Sequence, residues 1–221
     1  MKPIDWNQTI PDLIAATGET LYMVVIAVAL GGVLGLVLGL VLYLTRKGNL
    51  LANRFVFQII NVLVNFFRPI PFVIFIAAVQ PLARSVVGIG IGIQAATFTM
   101  VLAATFGIAR LVEQNLVTVN PGVIEAARAM GAGLPRIIFQ VLIPEGLGAL
   151  ILGYTFAFVA IIDMSAVAGV VGAGGLGNYA IQYGYRQANP VITWTTVVII
   201  VIIVQVVQGL GNWLSRRRLR R

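Results

Sequence analysis

The chain contains neither cysteine nor histidine. Without cysteine there is no disulfide framework, no thiol nucleophile and no Cys-based metal site. Without histidine the usual general base and the commonest metal ligand are missing. Acidic residues are scarce. Asp5, Asp12, Glu19, Glu113, Glu125, Glu145 and Asp163 are scattered, with no pair at a spacing suited to acid–base work. The only lysines, Lys2 and Lys47, precede Pro3 and Gly48, so no G-x-x-x-x-G-K-[ST] phosphate loop exists. These absences argue against an enzyme, against a nucleotide site and against any cofactor held by this chain. Residues 1–19 lack an apolar run and carry Asp5, Asp12 and Glu19, so no cleavable signal peptide is expected.

Charge is also sparse, at 10% of residues, against about 25% in a soluble domain. What fills the chain instead is apolar: 59% of it is hydrophobic. A bilayer crossing takes about 20 such residues, and five runs qualify. Span one is Leu21–Leu44, with Gly31, Gly35 and Gly39 at four-residue spacing, which permits close helix contact. Span two runs from Phe55 to Val79. It is interrupted by Arg68-Pro69-Ile70-Pro71, where the prolines remove backbone donors, and Pro81 is expected to end it. Span three is Gly92–Ala109, span four Gly146–Val171 and span five Val191–Leu214. The fold class is therefore an all-α integral membrane protein of five transmembrane helices.

The net charge of +8 is concentrated rather than spread. Arg46, Lys47 and Arg54 lie between spans one and two, and Arg110, Arg128 and Arg136 between three and four. Arg216, Arg217, Arg218, Arg220 and Arg221 close the tail. The opposite side has only Lys2, Arg84 and Arg186. The positive-inside rule puts the first group in the cytoplasm, with the N-terminus outside and the C-terminus inside. A basic cluster beside an apolar run marks a membrane flank, so lipid rather than nucleic acid is the expected partner.

Residues 110–145 form a polar island on the cytoplasmic side. Asn120 suits an N-cap, Pro121 the first helical position, and Gly131 a left-handed ending. A second short helix is expected from Pro135 to Ile143, stopped by Pro144. The first helix is rich in small side chains, Ala126, Ala127 and Ala129, and offers one charge, Glu125. It can lie deep in a partner's groove, or rest as a surface helix on the headgroups.

The order Glu125-Ala126-Ala127, three residues, Gly131, nine residues, Val141-Leu142-Ile143-Pro144 is similar to the coupling motif of type I ABC importer permeases. Val141 and Ile143 depart mildly from that family's usual Ile and Leu. The resemblance implies that Glu125, Ala126, Ala127, Gly131 and Pro144, within a coupling segment 120–144 between helices three and four, contact or shape the interface with a cytoplasmic ATPase. Phe67-Arg68-Pro69-Ile70-Pro71-Phe72, Gly172-Ala173-Gly174-Gly175-Leu176-Gly177 and Gln182-Tyr183-Gly184-Tyr185 add a likeness to the methionine-importing branch over residues 17–212. It implies a permease domain 17–212 between an extracytoplasmic segment 1–16 and a basic tail 213–221. The implied substrate is an amino acid, D- or L-methionine or a close analogue, with another amino acid or small metabolite as the alternative. The implied assembly is two permease copies, two ATPase subunits carrying ATP and Mg, and an extracytoplasmic substrate-binding lipoprotein, in the bacterial inner membrane.

Three further features invite function. Gly172, Gly174, Gly175 and Gly177 match G-x-G-x-x-G. A membrane span precedes them and no Asp or Glu follows Asp163, so a dinucleotide site is excluded. The alternatives are a structural turn or an outer turn facing the binding protein. Arg68 and Asp163 are ionisable residues inside spans and are functional candidates there. They can pair, contact solute along the path together with Ser165, or reach interfacial water. A secondary transporter or channel is the competing class. Span two is broken, as spans of such proteins often are, but no matching second half is found in the five spans.

Overall fold

The computed structural model describes residues 4–219, so Lys2, Arg220 and Arg221 lie outside the described residues. Among the described residues every regular element is helical. In chain order these are α1 (Trp6–Thr45), α2 (Arg54–Phe67), α3 (Phe72–Val87), α4 (Ile93–Val117), α5 (Pro121–Ala129), α6 (Leu134–Ala173), α7 (Gly175–Tyr179) and α8 (Pro190–Leu219). Four helices, α1, α4, α6 and α8, are long and apolar enough to cross a membrane. The broken pair α2–α3 makes a fifth crossing if counted as one span.

The helices run longer than the apolar pattern predicts. The pattern begins span one at Leu21, but α1 starts at Trp6, capped by the Asp5 carboxylate on the Asn7 N–H at 3.0 Å. The boundary expected at 16/17 therefore falls inside a continuous helix. Pro81 does not end the second span. It is accommodated within α3, which stops at Gly88 in the left-handed region (φ 82°). Arg110 is not in a loop but inside α4, which continues to Val117. Pro144 likewise does not stop the second island helix. The turn before it, Ile137–Leu142, is a wide π-type turn in which the Ile143 N–H donates to the Ile138 carbonyl five residues back. A π turn shifts the hydrogen-bond register, so a residue without an N–H passes without ending the helix.

The chain divides into two compact units. The first takes the chain up to Gly31, Ile70–Ala104 and Phe158–Val207. Its core is Leu13, Ala16, Leu176, Tyr179 and Ile192, with Ile199, Ile200 and Ile203 packed against it. The second takes Gly32–Pro69, Thr105–Ala157 and the chain from Gln208. Its core is Leu42, Val64 and Ala109, flanked by Leu38, Phe57, Ile60 and Phe106. Phe67 stacks on Phe106 with ring centroids 4.6 Å apart. In this unit Gly35 and Gly39 bring α1 onto α4. A Cβ added at Gly39 would sit 2.5 Å from the Ala109 carbonyl oxygen and 2.6 Å from Val112. Lipid tails are as apolar as the side chains, so such van der Waals packing, rather than escape from water, holds helices together here.

Candidate functional site

The island between α4 and α6 is a short helix closed at both ends by local chemistry. The Asn120 side chain accepts from the Gly122 N–H at 2.9 Å, and Pro121 takes the first helical position. At the other end Gly131 adopts φ 79°. Its N–H donates to the Arg128 carbonyl at 2.9 Å, and the Ala132 N–H donates to the Ala127 carbonyl at 3.0 Å. This double bond pattern is the Schellman ending, and it needs a residue that tolerates a left-handed backbone.

The two faces of α5 differ. Ile124 and Ala127 are buried, while Glu125, Ala126, Arg128 and Ala129 are exposed. Glu125 and Arg128 line an open cavity of about 280 Å³ with Arg46, Lys47 and Asn49. Of the sequence-predicted coupling residues, Glu125, Ala126, Gly131 and Pro144 thus stand on the surface, and Ala127 faces inward to hold the helix in place.

Sequence reasoning missed a polar cluster in the second unit. Arg110 donates one guanidinium nitrogen to Glu113 and the other to Asn61 Oδ1 at 2.7 Å and Asn65 Oδ1 at 2.6 Å. Glu113 is also 3.8 Å from Arg46. The Glu113 side chain is only 5% exposed and that of Arg110 12%. This neutralisation is why α4 continues past an arginine that charge counting assigns to a loop. The available signal was the i, i+3 spacing of Arg110 and Glu113, matched by Asn61 and Asn65 one turn apart.

Arg68 and Asp163 are both exposed, and neither takes part in an ion pair among the described residues; those pairs end on Glu113. Ser165 is buried and its hydroxyl donates to the Ile162 carbonyl at 2.6 Å on its own helix.

The glycine run forms a compact turn in the first unit. Gly172, Gly174 and Gly175 all have left-handed φ, at 98°, 83° and 77°. The Gly175 N–H donates to the Glu19 carboxylate at 2.6 Å and the Leu176 N–H to the Thr20 hydroxyl at 2.9 Å. Gly177 packs directly on the Ala166 backbone. Gly175 and Gly177 are buried, whereas Gly172 remains exposed. Next to the turn, burial pushes the Tyr179 phenol above its ordinary pKa, against a lowering hydrogen bond from Thr9. Among the described residues no group of three or more His, Cys, Asp or Glu is placed to hold a metal.

The family model described as "Binding-protein-dependent transport system inner membrane component" matches residues 31–220. The chain is 44% identical to the "Methionine import system permease protein MetP" of Bacillus subtilis, over 95% of this chain and 94% of that protein. It is 40% identical to the "Probable D-methionine transport system permease protein MetI" of Vibrio cholerae, over 93% and 91% respectively. Among solved structures, a chain of the MetNI methionine ABC transporter in an inward-facing conformation superposes with a TM-score of 0.93 at 38% identity. That match covers 97% of this chain and 99% of the other. A chain of an amino acid ABC transporter shares the fold, with a TM-score of 0.76 at 21% identity.

Proposed function

The chain belongs to the binding-protein-dependent transport system inner membrane components, and from that premise we propose that it forms the membrane path of an ATP-driven methionine importer. Similarity to two methionine permeases over nearly the full length supports the substrate. The observation that carries the coupling role is α5: a doubly capped helix whose Ile124 and Ala127 anchor it while Glu125 and Ala126 face out. A separate cytoplasmic ATPase, binding ATP and Mg, receives this face. Two copies of the chain enclose the path, two ATPase subunits drive it, and an extracytoplasmic binding protein delivers the amino acid. The N-terminus then lies outside and the C-terminus in the cytoplasm, in keeping with the basic residues.

ATP favours the conformation in which the two ATPases close, and this differential affinity supplies the shift between inward and outward states. The test is reconstitution with the cognate ATPase and binding protein, reading methionine uptake and ATPase activity together. Wild type is expected to show uptake that requires ATP and methionine-loaded binding protein. Glu125→Lys reverses the charge on the docking face, so it should abolish uptake and weaken co-purification of the ATPase. Normal uptake and undiminished association in that variant would refute the assignment of α5.

A further inference from the structure

The α2 helix has three distinct faces. Val64 is buried, and Phe57, Ile60 and Phe67 are partly buried on the same side, joining the core of the second unit. Phe55, Ile59, Val62 and Phe66 form an exposed apolar stripe. Between these runs a third line: Arg54, Gln58, Asn61, Asn65 and Arg68, spaced four, three, four and three residues apart. At about 100° per residue the five fall within an arc of about 80°. Arg54, Gln58, Asn65 and Arg68 are exposed and Asn61 is half-buried.

A row of exposed guanidinium and amide groups along a membrane helix is costly against lipid. Its neighbour, the Phe55–Phe66 stripe, meets lipid at no such cost. The polar row also opens at its base into a cavity of about 840 Å³, lined by Arg46, Lys47, Arg54, Gln58, Arg110 and Glu113. Helix row and cavity are continuous through Gln58 and through the Asn61–Asn65–Arg110 hydrogen bonds. The amides of Asn61 and Asn65 are thereby held by Arg110 in fixed orientation rather than left to turn freely.

We infer that this row is the water-filled wall along which the solute leaves toward the cytoplasm. The reading rests on the transport function proposed above and adds the residues that line the exit. The chemistry suits a zwitterionic amino acid. Amide groups can exchange hydrogen bonds with its carboxylate and ammonium without binding either tightly, and Arg68 and Arg54 attract the carboxylate at the two ends of the row. Glu113, already bridged by two arginines, leaves the cavity cationic overall and so adds no trap for the ammonium group.

The absence of native cysteine makes the test direct. Single variants Asn65→Cys and Arg68→Cys probe the row, and Val62→Cys and Phe66→Cys probe the apolar stripe at matching depth. Each is reconstituted with the ATPase, whose own thiols are blocked, and treated with a membrane-impermeant methanethiosulfonate. Only a hydrated thiol ionises to the reactive thiolate, so the row should label at least about tenfold faster than the stripe. Labelling of the row should also lower the uptake that each unlabelled variant retains, while labelling of the stripe leaves it as it was. Equal rates on both lines would overturn the inference, as would fast labelling of the row with uptake unchanged. Oxidant-driven disulfides between two copies at row positions, with protection from the reagent, would instead show the row packed on a second chain and would equally overturn it. Arg68→Cys lies outside the Arg110 network and keeps the comparison valid if Asn65→Cys fails to fold. Were the wild-type complex to move no methionine while the labelling contrast held, the substrate assignment would fall and the water-facing row would stand.

Discussion

The Arg110–Glu113 pair gives the sharpest stability prediction. Removing one member of a buried ion pair typically costs about 3–5 kcal/mol, because the survivor is left charged and desolvated. The two deletions should not cost the same. Glu113→Leu leaves Arg110 with two amide acceptors, at 2.7 and 2.6 Å, so the loss should fall at the low end, about 3 kcal/mol. Arg110→Met leaves Glu113 facing only Arg46 at 3.8 Å, across a side chain that is 49% exposed. Such a half-exposed contact restores about 1 kcal/mol or less, so the loss should approach about 5 kcal/mol. The double variant buries no charge at all. Replacing a buried pair with apolar groups of similar volume is often near neutral, so its loss should stay within about 2 kcal/mol of wild type, far below the sum of the singles. Unfolding of the purified protein in mixed micelles titrated with SDS, monitored by tryptophan fluorescence, measures all four corners of the cycle. Losses that simply add, or a Glu113 variant worse than the Arg110 variant, would refute the account of the cluster.

Close packing and the glycine turn each lead to a further expected outcome. Gly39→Ala should destabilise by about 2 kcal/mol, because the new Cβ meets the Ala109 carbonyl oxygen at 2.5 Å and overpacking outweighs the gain in helix propensity. Gly107→Ala on α4, with open space around it, should instead stabilise by about 1 kcal/mol, and equal shifts in thermal unfolding would count against the crossing described. Glu19→Ala removes the acceptor of the Gly175 N–H and should cost about 1 kcal/mol, with faster hydrogen exchange at Gly175 and Leu176. Glu19→Gln keeps an acceptor oxygen and should recover part of that protection, while exchange rates identical in all three proteins would show that the carboxylate does not hold the turn.

Local signals in the sequence suffice for the parts of this molecule built locally. Asn120, Pro121 and Gly131 announce both ends of α5 because caps depend on residues two to five positions apart. The Gly35 and Gly39 spacing announces a close helix crossing, though not that α4 is the partner. The helix ends differ from expectation where proline reads as a terminator, at Pro81 and Pro144. A proline ends a helix only if the hydrogen-bond register cannot move, and before Pro144 a π turn moves it. Charge counting assigns Arg110 to a loop because it ignores the pairing with Glu113 three residues on, and because the amide acceptors that complete its hydrogen bonding, Asn61 and Asn65, lie 49 and 45 residues away. The glycine run reads as a turn, but its seat on Glu19 and Thr20, 156 residues upstream, leaves no trace in spacing.

The wide turn at Ile137–Leu142 sets a phase relation between α5 and the membrane portion of α6. It holds one residue more than an α-turn, so it advances the chain without advancing the angle by the usual step. Deleting a single residue there would let the segment relax into a regular α-helix, unbroken and well hydrogen-bonded. The α5 helix, attached upstream, would then keep nearly its present bearing on that membrane portion, because the residue removed is the one the wide turn carries without rotation. The same deletion in a regular α stretch would swing it by about 100°. The wide turn is thus the one place in this segment that can give up a residue without turning α5, and a variant of that kind would fold, insert and still engage, whereas a deletion in the regular helix beyond it would fold, insert and misalign.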